Sequence, residues 1–223
     1  MTGVLGKLPA VCYRPFMGRT PAFCGVILAA GDKALLPWPP HATTAAPGDT
    51  FLSAAIRLFF SHVDVVIVVA GANAAALAPI VYANGASLVV NPDPACGQFS
   101  SLRIGLQEVL NRGRDAAMIT LVDRPPVRME TIVALESAFA HATTQRKWAV
   151  VPEYRGKRGH PILAGRELLE AFLRAPEAST AQDVERAHQS EIAYVPVDDP
   201  LVATIFDTPE QFAALAPQLP QPG

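Results

Sequence analysis

Cysteine is scarce and scattered in this sequence: Cys12, Cys24 and Cys96 are its three thiols. An odd count with no CxxC pair argues against a disulfide framework or a zinc cluster. It fits a reducing compartment in which each thiol serves as a small buried hydrophobe. An excess of one charge is also lacking. Eighteen Lys and Arg stand against 20 Asp and Glu, a net charge of −2, so nothing basic points to nucleic acid or an anionic membrane as partner. No run of about 20 apolar residues is present to span a bilayer. Residues 1–24, interrupted by Pro9, Pro15 and Pro21, hold no apolar stretch suited to a secretory leader. The expected location is cytoplasmic. Neither GxGxxG nor GxxxxGK[ST] follows a strand-like run, which removes support from dinucleotide-dependent oxidoreductases and P-loop enzymes.

What is present is core. Half of the 223 residues are hydrophobic and 17% are charged, enough for one large folded domain. We expect an N-terminal extension over 1–24, a single domain over 25–216 and a C-terminal tail over 217–223. Short, largely apolar runs predict strands at 25–29 (GVILA), 65–70 (VVIVVA), 87–90 (SLVV), 116–122 (AAMITLV), 148–151 (WAVV) and 191–195 (EIAYV), and the second, fully apolar, reads as buried on both faces. Amphipathic spacing predicts helices over 50–61, 100–111, 129–142, 166–174 and 208–215. Ser179 or Thr180 with Asp183 behind reads as another helix start. Strands alternating with helices predict an α/β fold with a mostly parallel sheet covered on both faces.

In such sheets ligands bind beyond the carboxyl ends of the strands. Asp123 ends the fourth apolar run, where a carboxylate can offer oxygens to a hard divalent cation; with Pro125 and Pro126 following, a turn or cap role is the competing reading. Asp207 precedes Thr208-Pro209-Glu210, a helix-start pattern that leaves its carboxylate available. The first strand runs into Gly31 and then Lys33, the beginning of a backbone cradle with a cation for phosphate. Cys96 lies in a motif-rich region but carries no sign of a nucleophile.

Taken in order, LAAG (28–31), KALLPW (33–38), NPDPACGQFSSLRIGL (91–106), LVDRPPV (121–127), GKRGHPIL (156–163) and FDTPEQF (206–212) resemble the molybdenum cofactor nucleotidyltransferases, most of all their cytidylyltransferase branch. The resemblance runs from Gly25 to Phe212. It implies a Rossmann-like three-layer sandwich of the nucleotide-diphospho-sugar transferase type. It further implies a Mg2+-dependent nucleotidyltransferase that takes a nucleoside triphosphate, CTP favoured over GTP, and a pterin-type phosphorylated acceptor such as molybdopterin, with a molybdenum enzyme as a further partner. By the same resemblance Asp123 and Asp207 hold the metal and are catalytic with Lys33. Leu28, Ala29, Ala30, Gly31 and Lys33 hold the triphosphate, Ser100 and Ser101 lie near base and ribose, and Gly159, His160 and Pro161 face the pterin. The loop is shorter than the family's: Gly31 is followed at once by Asp32 and Lys33, without the arginine and second glycine that wrap phosphates. A catalytically impaired homologue, acting as a nucleotide- or cofactor-binding, chaperone-like protein, is the alternative.

Overall fold

Runs of Val, Ile and Ala that are apolar at every position have no solvent face, so they settle in the middle of a sheet. A computed structural model describes residues 22–36 and 49–206 and places the runs at 25–29, 65–70 and 116–122 there, whereas 87–90 forms a sheet-edge strand that is only partly buried, because one side has no neighbouring strand. The strands are β1 (Phe23–Leu28), β2 (Val66–Ala70), β3 (Ser87–Val90), β4 (Ala116–Leu121), β5 (Ala149–Tyr154), β6 (Lys157–Arg158), β7 (Ile162–Gly165) and β8 (Ile192–Pro196). The helices are α1 (Phe51–Phe60), α2 (Ala74–Ala83), α3 (Gln98–Asn111), α4 (Met129–Thr144), α5 (Arg166–Arg174) and α6 (Ala181–Ala187).

The sheet order is β3-β2-β1-β4-β7-β5-β6, with β8 also pairing β5. Strands β1 to β4 are parallel neighbours, and β8 is parallel to β5. β7 runs antiparallel to both β4 and β5. The sheet is therefore mixed and mostly parallel. Every residue of β1 and β2 is buried, and successive side chains point to opposite faces. Phe23 and Ile27 join the layer of α1, α2 and α4 with Ile56, Leu77 and Ile132. Cys24, Val26 and Leu28 join the layer of α3, α5 and α6 with Leu106, Leu169 and Val184. The result is a three-layer α/β/α sandwich.

Several sequence expectations shift. β1 begins at Phe23, inside the stretch expected as an extension. Cys24 is buried as expected, whereas Cys96 is exposed; Cys12 lies outside the described residues. Helix α2 had no counterpart in the sequence reading, because Pro79 sits inside it and an internal proline ordinarily argues against a helix. The helix at 181–187 is present, opened by a reciprocal cap between Thr180 and Asp183. The helix expected over 208–215 lies outside the described residues.

Chain direction matters most at β1. From it the chain moves outward to β2 and β3, then returns through α3 to β4 on β1's other side. The ends of β1 and β4 thus flank a topological switch point, where a crevice opens.

Candidate functional site

The crevice is a cavity of about 360 Å³, within the range of roughly 300–1,000 Å³ typical of small-molecule sites. Its walls come from three segments. Leu28, Ala30 and Gly31 come from the end of β1 and the turn after it; Pro94, Gly97, Gln98 and Ser101 come from the turn into α3 and its first residues; Leu121, Val122 and Asp123 come from the end of β4 and just beyond. The turn after β1 is tightly held. The amide of Ala29 donates to Val69 O at 2.8 Å. The Asn73 side-chain amide donates to Ala29 O at 2.8 Å and to Gly31 O at 3.0 Å, while its Oδ1 accepts from Gly71 N at 3.0 Å. Asn73 therefore fixes the shape of the glycine turn from the beginning of α2. Sequence reasoning missed it along with its helix; the signal was an Asn two residues after Gly71, at the end of a buried strand.

The start of α3 is built in a similar way. Gly97 precedes the helix at φ +85°, ψ −179°, a conformation open essentially to glycine alone. It brings no side chain to cap the first turn, so the helix's leading N–H groups lie at the cavity with the positive end of the helix dipole. Behind them, the buried Asn91 donates to Ser100 Oγ at 2.8 Å and to Ser101 Oγ at 2.9 Å. Ser100 in turn donates to Gly97 O at 2.7 Å. The two serines are thus tied to the scaffold, and of the two Ser101 reaches the cavity wall. Cys96 Sγ donates to Asp93 Oδ2 at 3.0 Å. That hydrogen bond and the neighbouring carboxylate raise the thiol pKa, the reverse of activation.

Asp123 is the one charged side chain on the described cavity wall. Arg124 Nε lies 3.9 Å from its Oδ1. Burial lowers the Arg124 pKa, opposed by Asp123, and the guanidinium donates to Thr204 O at 3.4 Å. The backbone of Asp123 accepts from the amide of Phe206 at 3.2 Å. The described chain therefore runs up against Asp123 at the residue immediately before Asp207, which itself lies outside the described residues. Ala29 is buried behind the turn. Lys33 belongs to a short 3-10 helix, Asp32–Leu35. Gly159, His160 and Pro161 stand apart from the large cavity: Gly159 packs on the Val202 backbone, His160 N donates to Val202 O at 2.9 Å, and Pro161 lines a small cleft with Arg124. Burial first, and Arg124 second, push the His160 pKa down to about 3. Its Nδ1 is buried without a hydrogen-bond partner among the described residues, so the imidazole is neutral at pH 7.

Among the described residues no group of three or more His, Cys, Asp and Glu side chains gathers to hold a metal. A magnesium-type ion does not need one. It is commonly held by one or two carboxylates, with waters and substrate phosphates completing the shell, so Asp123 at the cavity rim fits such an ion.

Comparison with known proteins gives a consistent picture. The family model described as "MobA-like NTP transferase domain" matches residues 25–193. No curated protein matches the chain by sequence. Among solved structures, Rv0371c from Mycobacterium tuberculosis H37Rv is 21% identical with a TM-score of 0.65, covering 87% of this chain and 98% of that one. Its complex with manganese gives 22% identity and a TM-score of 0.65 over 88% and 99% of the two chains. A 4-diphosphocytidyl-2C-methyl-D-erythritol synthase from Anaerococcus prevotii is 13% identical with a TM-score of 0.63, over 88% and 95%. At these identities the likeness establishes the fold.

Proposed function

This chain belongs to the MobA-like NTP transferase domain family, and from that premise we propose that it moves a CMP or GMP group from a nucleoside triphosphate to a phosphorylated acceptor such as molybdopterin, releasing pyrophosphate. The observation that supports this reading is the cavity at the β1–β4 switch point, where a glycine turn, an uncapped helix start and a carboxylate converge. CTP is the favoured donor, the setting is cytoplasmic, and a molybdenum enzyme is the recipient of the product.

In this reading the turn at Leu28–Gly31, held by Asn73, and the leading amides of α3 receive the nucleotide with backbone donors, with Lys33 as the cation for its phosphates. Ser101 contributes a hydroxyl on the same wall, and Ser100 supports it through Asn91. Asp123 and Asp207 are the metal ligands; the Phe206 amide on the Asp123 carbonyl supports their pairing. Mg2+ is the expected ion, and the manganese in the Rv0371c complex is consistent with a divalent cation there. When bound, the ion supplies charge neutralisation for two approaching anions. An acceptor phosphate oxygen forms the new bond to the α-phosphorus while the bond to the bridging oxygen breaks, and pyrophosphate leaves with the electron pair. No covalent enzyme intermediate is needed, so the protein contributes chiefly positioning and electrostatics. Gly159, His160 and Pro161 act on the acceptor side, through the segment they hold at Val202.

One observation favours the alternative of an impaired, nucleotide- or cofactor-binding homologue: among the described residues the turn at Gly31 passes directly into the 3-10 helix Asp32–Leu35, with no longer loop between the two. Pyrophosphate release from CTP or GTP with Mg2+ or Mn2+, in the presence of molybdopterin, separates the two. Turnover dependent on acceptor and metal supports the transferase. Nucleotide binding without any pyrophosphate release supports the alternative.

A further inference from the structure

Asp199 lies outside the cavity wall and is only 1% exposed. A carboxylate this deep must be compensated, and three donors surround it. Oδ2 accepts from Arg128 N at 2.9 Å and from Thr131 Oγ1 at 2.8 Å; Oδ1 accepts from Leu201 N at 3.0 Å. The first two donors belong to the beginning of α4, where a negative charge also meets the helix dipole. The third bond is the N-cap of Asp199's own 3-10 turn, Pro200–Ala203, so this one carboxylate ties that turn to the start of α4.

From that turn the chain is fastened step by step. Val202 O accepts from His160 N at 2.9 Å, Thr204 O accepts from Arg124, and Phe206 N donates to Asp123 O at 3.2 Å. The Phe206 ring packs edge-on against Phe51, with centroids 5.7 Å apart. Asp199 is therefore the first anchor of a segment whose last described residue touches Asp123.

We propose that Asp199 is a positioning residue that sets where the chain reaches Asp123, and thereby tunes how strongly Asp123 binds a divalent cation. This rests on the metal reading given above. It ascribes to Asp199 no contact with substrate or ion.

The test uses the full chain and three variants: Asp199→Asn, which turns an amide toward donors, Thr131→Val, which removes one donor, and Thr131→Ser, which restores it. Two quantities are read: hydrogen exchange at the Phe206 amide, and Mn2+ affinity in the presence of CTP by electron paramagnetic resonance of free Mn2+. Both Asp199→Asn and Thr131→Val are expected to speed Phe206 exchange and raise the Mn2+ Kd on the order of tenfold, the factor that follows from one lost hydrogen bond to a charged group. Thr131→Ser is expected to behave as wild type. Should Asp199→Asn fail to fold, Thr131→Val against Thr131→Ser decides alone. Faster exchange with unchanged Mn2+ affinity overturns the positioning role, as does unchanged exchange, and either leaves the metal reading standing. A wild-type protein that binds no Mn2+ with CTP overturns the metal reading and this proposal together.

Discussion

In the proposed reading Asp123 holds the metal from the end of β4, a strand paired with β1 and β7. Asp123→Ala is therefore expected to abolish transfer while leaving the circular dichroism spectrum unchanged; full turnover in that variant removes Asp123 from the metal site. His160 makes a different prediction. Its folded-state pKa of about 3 lies below the ordinary value near 6.5. In the window between them the unfolded chain binds a proton that the folded protein refuses, so this group's contribution to stability is intact above pH 6.5 and falls as the solution is acidified toward pH 3. Relative to His160→Gln, the wild type is expected to lose roughly 2 kcal/mol between pH 7 and pH 5, at about 1.4 kcal/mol per unit below 6.5. Urea unfolding at the two pH values reads this directly, and a constant gap means that folding does not depress the His160 pKa. Beside it, a Cβ at Gly159 would stand 2.0 Å from Val202 O and 2.4 Å from its carbonyl carbon. Both atoms are backbone and cannot swing aside. Gly159→Ala is expected to cost about 3 kcal/mol or more, seen as a lowered urea midpoint.

At the scale of elements, the site is a meeting of a turn, a helix start and a strand end, each held by a polar side chain behind it. Asn73 holds the turn after β1 through two carbonyls, without lining the cavity. Asn73→Ala is expected to weaken CTP binding about tenfold with a small loss of global stability, measured by isothermal titration calorimetry and urea unfolding. Equal CTP affinity in the variant means that the turn keeps its shape without the clamp. The same elements explain what could be read from the sequence. β2 and α5 fall where an apolar run and helical spacing predict them, because the pattern survives when a strand is fully buried or a helix buries one face. Asp123 and the glycine turn were legible because they punctuate strand ends. The hairpin of β5 and β6, turning at Arg155 and Gly156 with positive φ, and the antiparallel β7 were not. They are short, and their pairing is set by the partners they find in the sheet rather than by period. The roles of Asn73 and Asp199 were illegible for another reason: each reaches residues far away in sequence by hydrogen bonds, which local patterns do not record.

For the whole molecule, a ligand that binds only the folded state stabilises it by mass action. CTP with Mg2+ or Mn2+ at 100 times its Kd is expected to add about 2.7 kcal/mol, a Tm rise of roughly 5–10 °C for a chain of this size. Thermal denaturation with CTP, GTP and ATP, with and without metal, measures it. A shift confined to one base and dependent on metal fits the transferase site, whereas equal shifts with all three remove base selectivity. No helix among the described residues is long and apolar enough to cross a membrane.

The placement of β4 beside β1 sets a timetable as well as a crevice. Gly25 of β1 finds Val66 on one side but Met118 on the other, so one flank can zip while the second is still being synthesised. A ribosome must deliver more than half of these 223 residues before the floor of the crevice exists. Until then the inner edge of β1 is an unpaired, wholly apolar ribbon, and the interval before β4 arrives is when this protein most needs shelter from its neighbours.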